Sequence, residues 1–149
     1  MNEFLALEIS SSGMRAQRIR MRTIAENLAN QHTTGPHGPY QRKDTIFESQ
    51  PLQTGFEDQL SSALQSARSQ PAVVQQVQVS EVREDGSQPI RVYDPSHPHA
   101  DENGYVLKPN ISIFREMTDM IEASRSYEAN LAASKSTKEM IKSALELLQ

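Results

Sequence analysis

The last forty residues, 110–149, constrain the fold most, because they have the pattern of one long helix. Apolar and small residues recur along this segment in alternating steps of four and three, the spacing that keeps one face turned toward a partner helix. No glycine or proline interrupts the segment. At 1.5 Å per residue the helix would be about 58 Å long, which is more than a small domain needs to cover its own core. The segment therefore predicts a helix that requires a partner.

The predicted seam of this helix is apolar at both ends and weak in the middle. Ser124, Ser134 and Lys138 occupy central positions where a self-sufficient coiled coil has Leu or Ile. A solvated amphipathic helix on a globular core is the alternative interpretation, but the helix length and the small residues around its circumference favour lateral packing of several helices. The residues predicted to form the seam are Ile113, Met117, Met120, Tyr127, Leu131, Ile141, Leu145 and Leu148.

Residues 2–31 form the second predicted helix. Its apolar residues recur every seven positions, at Leu7, Met14, Met21 and Leu28. Gly13 weakens the helix locally, because glycine costs about 1 kcal/mol relative to alanine in a helix interior. Four arginines between positions 15 and 22 are spread around the helix. We therefore interpret them as solvated or subunit-contacting residues rather than as a nucleic-acid or lipid site.

Between the two helices lies a segment that holds all eight prolines and five of the six glycines. Strand patterns occur near 40–48, 73–82, 90–93 and 105–107 and predict a small β domain. Residues 48–72 are predicted to be either a short helix or a mobile segment. The predicted organisation is an N-terminal helix at 1–34, a β-rich middle domain at 35–109 and a C-terminal helix at 110–149. The fold class is mainly α with a small β insert (α+β), and the terminal helices pair as a coiled coil.

Composition excludes several function classes. The chain has no cysteine, so disulfides, thiol nucleophiles and cysteine-based zinc sites are excluded. Its net charge of −4 argues against a general affinity for nucleic acid. No apolar stretch is long enough to predict direct membrane insertion, and the N-terminus lacks the pattern of a secretory signal peptide. Any export is therefore expected to use a route other than the general secretory one.

The segment 94–104 contains two histidines and three acidic residues, which are possible ligands for a divalent cation. An enzyme built on it would be a metal hydrolase that uses Asp94, His97 and His99. Its prolines and the Asn103-Gly104 turn favour an exposed structural loop instead. The sequence contains no phosphate-binding loop, nucleophile elbow or paired catalytic carboxylates. We therefore expect no enzyme, no cofactor and no metal.

Two motifs resemble those of bacterial flagellar rod and hook proteins. The first ends the N-terminal helix and reads Asn27-Leu28-Ala29-Asn30. Its residue types alone indicate only a polar helix C-terminus. The second begins with Tyr93-Asp94-Pro95, continues through Asn103-Gly104-Tyr105 and ends with Tyr127-Glu128-Ala129-Asn130; it is similar to the FlgC family of proximal rod proteins. The first motif departs from the usual pattern after residue 30, since an aromatic residue returns only at Tyr40.

This resemblance implies a structural subunit of the flagellar basal-body rod, the periplasmic shaft that transmits torque from motor to hook and filament. It implies that the terminal helices pack laterally with copies of the chain and with other rod proteins, while the middle domain lies outside. It also implies export in an unfolded state through the flagellar type III apparatus, without a cleaved signal. We expect both helices to become ordered on incorporation. A cytoplasmic coiled-coil adaptor or export chaperone is the alternative.

Overall fold

The computed structural model describes residues 2–36, 38–52 and 74–147, and it contains two long helices and two small antiparallel sheets. Helix α1 spans Asn2–Ala29 and helix α2 spans Ile113–Glu146. Between them lie four strands: β1 (Lys43–Pro51), β2 (Gln75–Glu84), β3 (Ile90–Tyr93) and β4 (Tyr105–Lys108). This confirms a mainly helical fold with a small β insert. No helix in the described part of the chain is long and apolar enough to cross a membrane.

Helices α1 and α2 pack side by side and run in opposite directions. Asn27, near the end of α1, contacts Glu116 in the first turn of α2. Two heptads away on each helix, Gly13 lies against Asn130. The α2 residues in this row are small or polar and recur once per heptad, at Glu116, Ala123, Asn130 and Thr137, and all but the half-buried Asn130 are fully buried. Small side chains therefore allow the two helices to approach closely.

The row of α2 that faces α1 lies about 50° around the helix from the nearer row of predicted seam residues and about 100° from the farther row. Predicted seam residues nearest this row, such as Met120 and Tyr127, are half-buried. In the farther row Met117 and Leu145, near the two helix ends, are 50% and 59% exposed, whereas Leu131 between them is half-buried. Within one chain, α1 therefore covers only part of the predicted seam. Leu148 lies outside the described residues.

The β1–β2 sheet packs on α1. The Ser12 hydroxyl of α1 donates to the main-chain oxygen of Ile9 at 2.7 Å and accepts a hydrogen bond from the main-chain N–H of Val77 at 3.3 Å. Pairing extends from Lys43 opposite Glu84 to Pro51 opposite Gln75, so β1 runs three residues beyond its predicted end. The rest of the predicted short helix or mobile segment, from residue 53 to 72, falls outside the described residues.

The β3–β4 hairpin is a separate sheet. The rings of Tyr93 and Tyr105 meet edge-on with their centroids 5.3 Å apart, and the Arg91 guanidinium lies over Tyr105 at 4.8 Å from its centroid. Among the described elements, neither helix and neither strand of the first sheet packs on this hairpin. Its loop instead approaches the segment after α1, where the Thr34 hydroxyl lies 3.0 Å from His99 Nδ1. The β-rich middle segment thus contains two independent hairpins.

Replacing Gly13 with leucine is expected to lower the free energy of unfolding by about 1–3 kcal/mol. A Cβ atom at this position would already lie 2.9 Å from the Asn130 amide, so a larger side chain must displace Asn130 or separate the helices. Each kcal/mol lowers the Tm of a chain of this size by roughly 2–4 °C, measured by far-ultraviolet circular dichroism. Ala25→Leu is the matched control, because Ala25 is exposed on the same helix. An equal loss in both variants would contradict the close approach at Gly13.

Candidate functional site

A buried polar cluster joins the end of α1, the beginning of β1 and the first turn of α2. We call its five residues the polar junction: Asn27, Tyr40, Arg42, Lys43 and Glu116. Asn27 and Glu116 are separated by 89 positions in the sequence, yet their side chains are only 1% and 0% exposed. A buried charge is unfavourable unless it is paired and hydrogen-bonded. The geometry of the contacts therefore decides whether the junction stabilises the fold.

The side-chain amide of Asn27 uses all of its hydrogen-bonding capacity. Its nitrogen donates to the main-chain oxygen of Lys43 at 2.8 Å and to Glu116 Oε2 at 3.2 Å. Its oxygen accepts hydrogen bonds from the main-chain N–H of Lys43 at 2.9 Å and from the Tyr40 hydroxyl at 3.1 Å. Since an amide offers two donors and two acceptor lone pairs, Asn27 is fully satisfied. It attaches the beginning of β1 to the end of α1.

Arg42 neutralises the buried carboxylate of Glu116. Its Nε atom donates to Glu116 Oε1 at 2.7 Å, and its terminal nitrogens lie 3.5 Å from Asp85 and 4.0 Å from Asp119. Burial lowers the pKa of Arg42, but the hydrogen bond and charge of Glu116, with Asp44 and Asp85, outweigh it and leave the pKa raised. Arg42 therefore remains charged. Glu116 also lies where a negative charge complements the helix dipole, in the first turn of α2.

Tyr40 completes the junction as a hydrogen-bond donor. Burial is the largest influence on the Tyr40 hydroxyl and raises its pKa; Lys43 opposes this effect, and the nearby carboxylates, beginning with Glu26, reinforce it. The phenol is therefore protonated at neutral pH and can donate to Asn27. The donors of the junction point at acceptors of the same chain, so the arrangement favours a structural role.

The sequence matches flagellar proteins at both ends and along its length. A family model described as Flagella basal body rod protein matches residues 7–37, and one described as Flagellar basal body rod FlgEFG protein C-terminal matches residues 102–147. The flagellar basal-body rod protein FlgC of Bacillus subtilis (strain 168) is 40% identical, with 99% of each chain covered. The chain belongs to the FlgC family of flagellar basal-body rod proteins.

Two further FlgC proteins support this assignment. The FlgC of Aquifex aeolicus is 45% identical over 98% of this chain and 97% of its own, and the FlgC of Salmonella typhimurium (strain LT2) is 35% identical over 95% of both. These matches confirm the resemblance predicted from the motifs. They do not favour the adaptor or chaperone alternative, because the relatives are named as rod proteins.

In this FlgC-family protein the two asparagines of the first motif have different positions. Asn27 is the centre of the polar junction. Asn30 ends α1: its side-chain nitrogen donates to the main-chain oxygen of Glu26 at 2.8 Å, and its side-chain oxygen accepts a hydrogen bond from the Thr33 hydroxyl at 3.1 Å. Of the two residues between them, Leu28 is half-buried and Ala29 is exposed. The sequence indicated the capping position but not the buried one.

The second motif begins at the last residue of β3, Tyr93, and continues into the β3–β4 loop. Asp94 accepts a hydrogen bond from the Ser96 hydroxyl at 2.8 Å. Gly104 has a φ of +78°, and a Cβ atom there would lie 3.0 Å from the Tyr93 ring and 3.2 Å from Pro95 Cβ. Only glycine fits this turn without strain. The residues Tyr93, Asp94 and Pro95 therefore belong to a tight local hairpin.

The remaining motif and seam residues lie along the helix pair. Asn130 contacts Gly13, and Tyr127 lines a small surface cleft together with Met14. Glu128 and Ala129 are exposed, and the Glu128 carboxylate lies 3.5 Å from the Ser124 hydroxyl. The other predicted seam residues that are half-buried are Leu7, Met21, Leu28, Leu131 and Ile141. Their role as an assembly seam stays a prediction.

Asp94, His97 and His99 do not converge in the structure. His97 Nδ1 accepts a hydrogen bond from the main-chain N–H of His99 at 3.1 Å, while Asp94 is bonded to Ser96. Among the residues that the structure describes, no group of three or more His, Asp or Glu side chains is placed to hold a metal ion. The loop is instead held by hydrogen bonds among its own residues.

Sequence reasoning missed Tyr40, Arg42, Lys43 and Glu116 as site residues. A signal for Glu116 was available, because it follows Ile113 by three residues and precedes Met120 by four, which places an acidic side chain close to the apolar face. An acid in that position requires a cation. Nothing in the spacing, however, identified Arg42, among the arginines of the chain, as the partner of Glu116.

Asn27→Ala is expected to lower the free energy of unfolding by about 3 kcal/mol or more, because it leaves buried partners of four hydrogen bonds unsatisfied. Chemical denaturation of the purified chain measures this loss. Asn30→Ala is the control from the same motif; it removes only local hydrogen bonds at a helix end and is expected to cost about 1 kcal/mol. Losses of equal size would show that the junction contributes no more than an ordinary helix cap.

The β3–β4 loop is expected to loosen at acidic pH. Hydrogen bonds from the main-chain N–H of Tyr105, and then of Asn103, lower the pKa of Asp101, and the Ser96 hydroxyl does the same for Asp94. A lowered pKa stabilises the folded loop fully above the ordinary aspartate value of about 3.9, and this stabilisation disappears as pH falls through the lowered pKa.

Amide-proton chemical shifts test this pH dependence. The Tyr105 and Asn103 amide protons should move as Asp101 is protonated, since both donate to its carboxylate. The Gly104 amide proton donates to the main-chain oxygen of Asp101 and should move less. Identical shifts of all three protons would instead indicate general unfolding.

Proposed function

We propose that this FlgC-family protein is a structural subunit of the flagellar basal-body rod and that it assembles by lateral packing of α1 and α2 against copies of itself and other rod proteins. In the rod the terminal helices form a coiled-coil inner layer, and the middle segment 35–109 lies outside it. The function is mechanical: the assembled subunits form the shaft that transmits torque from motor to hook and filament. No catalytic step, cofactor or nucleic-acid partner is part of this proposal.

The observation that carries the proposal is the apolar surface that α2 leaves uncovered in one chain. Phe114 is 86% exposed, Ile121 54% and Leu147 88%. Exposed clusters of large apolar side chains mark interaction sites in soluble proteins. The exposed large apolar residues occur toward both ends of the described helix: Ile113, Phe114, Met117 and Ile121 at one, Met140, Leu145 and Leu147 at the other.

This distribution favours an open assembly over a closed dimer. A contact between different surfaces of successive copies leaves one surface of each kind free at the ends, so the assembly continues. Methionines at 14, 21, 117, 120 and 140 suit such contacts, since their flexible side chains adapt to non-identical neighbours.

A small core supports the proposal that the helices become ordered on incorporation. The buried apolar residues of the described chain are Ala16, Ile24, Leu52, Val106 and Ala123. Burial of apolar surface stabilises the folded state by about 25 cal/mol per Å². With so few buried apolar side chains, the isolated subunit is only marginally stable. Contacts with neighbouring subunits would then supply the remaining free energy of ordering.

Marginal stability also suits the proposed route to the periplasm. A chain exported unfolded through the flagellar type III apparatus must avoid stable folding before export. The absence of cysteine means that no disulfide is needed after export. Once folded, the polar junction ties α1, β1 and α2 together, which supports a role in transmitting force.

Leu145→Asp is expected to abolish rod assembly, because it places a charge on a 59% exposed apolar position proposed to be buried between subunits. The measurement is swimming in a deletion strain complemented with the variant, together with electron microscopy of isolated basal bodies. Ser143→Asp is the matched control, since Ser143 is exposed on the same turn of α2. Normal rods in the Leu145→Asp strain would refute lateral packing through this surface.

The same deletion strain tests the function itself. Without the gene, basal bodies should lack a complete rod, and the native gene should restore it. Fractionation of the complemented strain should place the chain with purified basal bodies. Recovery in the cytosol alone, with rods intact in the deletion strain, would support an adaptor instead.

A further inference from the structure

We propose that the polar junction sets the register of α1 against α2, with Gly13 and Asn130 as a second register mark; this inference rests on the proposed function. The two contacts are separated by fourteen residues on each helix, from Gly13 to Asn27 and from Glu116 to Asn130. Both therefore specify one antiparallel alignment over two heptads.

The apolar pattern alone does not specify that alignment. Leu7, Met14, Met21 and Leu28 repeat every seven residues, so sliding α2 by one heptad, about 10.5 Å, offers them an equivalent set of neighbours. The row of α2 that faces α1 is small or polar and offers little shape to discriminate. A helix pair of this composition therefore needs another interaction to fix its register.

The buried charges of Glu116 and Arg42 provide this interaction. In the observed register, Glu116 Oε1 binds Arg42 at 2.7 Å and Oε2 binds Asn27 at 3.2 Å. A slip of one heptad brings Ala123 or Pro109 to the position of Glu116, and neither side chain is an acceptor. Arg42 and the Asn27 amide would then be buried without their partner. A single buried polar residue fixes register in coiled coils for the same physical reason.

The contact between Gly13 and Asn130 favours the same register. The Asn130 amide occupies the space where a Cβ atom of residue 13 would lie, within 2.9–3.0 Å. In a slipped register Ala123 or Thr137 would lie beside Gly13, and the Asn130 side chain would meet residues of α1 that have a Cβ atom. The close contact therefore forms only in the observed register.

Register matters because it determines which surface the subunit presents. Helix α2 has 34 residues and α1 has 28, so in this alignment the last turn of α2, with the exposed Leu145, extends beyond the first turn of α1 and is followed by the exposed Leu147. A slip of one heptad would move this apolar end by about 10.5 Å relative to α1 and to the sheet packed on it. Subunits in different registers could not form equivalent lateral contacts.

Disulfide trapping in the purified full chain tests the inference, and the absence of native cysteine makes every introduced pair unambiguous. The native-register pair is Gly13→Cys with Asn130→Cys. The slipped-register pairs combine Gly13→Cys with Ala123→Cys or with Thr137→Cys. A fourth pair, Ala25→Cys with Asn130→Cys, measures random encounters. Intrachain disulfides are read from mobility on non-reducing gels, and the ratio of pairs remains informative even if the helices are ordered only part of the time.

Each cysteine pair is placed in the native chain and in a variant whose junction is apolar, Asn27→Leu with Arg42→Met and Glu116→Leu. With the native junction, the native-register pair should form at least about tenfold faster than either slipped pair. In the apolar variant that ratio should fall to about twofold or less, because burial is retained while the partners that specify register are lost. Since both backgrounds carry the same cysteine pairs, effects of the cysteines themselves cancel.

A ratio that stays above tenfold in the folded apolar variant would overturn the inference, as would native-register trapping no faster than the random-encounter pair. If circular dichroism shows that the apolar variant has lost its helices, Glu116→Ala decides alone: it removes the acceptor of both Arg42 and Asn27 and leaves the rest of the junction in place, so an unchanged ratio there would also overturn the inference. The readout involves no assembly. A failed register test therefore leaves the rod assignment standing, and a rod deletion that remains motile leaves the register result standing.

Discussion

The buried contact between Glu116 and its two partners, Arg42 and Asn27, is the interaction on which the rest of the structure depends. A fully buried carboxylate is unfavourable by several kcal/mol unless a cation and hydrogen-bond donors surround it. Here the carboxylate comes from the first turn of α2, the cation from the segment before β1 and the amide from the end of α1. No segment can bury its polar group alone. The C-terminal helix, the N-terminal helix and the first hairpin are consequently coupled at one point.

Away from this point, the chain contains little that would hold it together in isolation. The helices meet through alanine, glycine, asparagine and threonine and through Arg20, whose guanidinium lies 3.7 Å from Asp119 and 4.0 Å from Glu122. Larger apolar side chains lie beside this contact or on the outer faces. Such an arrangement fits the proposed assembly of a FlgC-family subunit, in which neighbouring subunits would cover the apolar surface that a monomeric protein would bury internally. Polar contacts then fix the arrangement of the helices within the subunit, while the exposed apolar surface is available for assembly. The same separation explains why so much of α2 is exposed in a single chain.

The two hairpins differ in how they are attached, and this difference has mechanical consequences. The β1–β2 sheet packs on α1, is bonded to Ser12 and begins at the polar junction, so it should move with the helices as one body. The β3–β4 hairpin is stabilised locally by its aromatic pair, by Asp101 and by the turn at Gly104. It meets the segment after α1 at the contact between Thr34 and His99 and along a cleft that Pro36 lines together with Tyr105 and the buried Val106. The first hairpin is thus attached to the helices, whereas the second contacts the segment that follows α1.

The sequence by itself determined the two long helices, the location of the strands between them and the family, because periodicity, proline and glycine placement and the asparagine motif are local signals. The partners of Asn27 came only from the tertiary structure, since Tyr40, Lys43 and Glu116 have no spacing that links them to it. Which face of α2 contacts α1 was likewise decided by tertiary packing. Periodicity favoured the row of large apolar residues, but the buried charge and the close approach at Gly13 rotate the contact toward small and polar ones. A pattern of apolar residues reports which face avoids water, and only packing decides whether that face meets its own chain or is left for another.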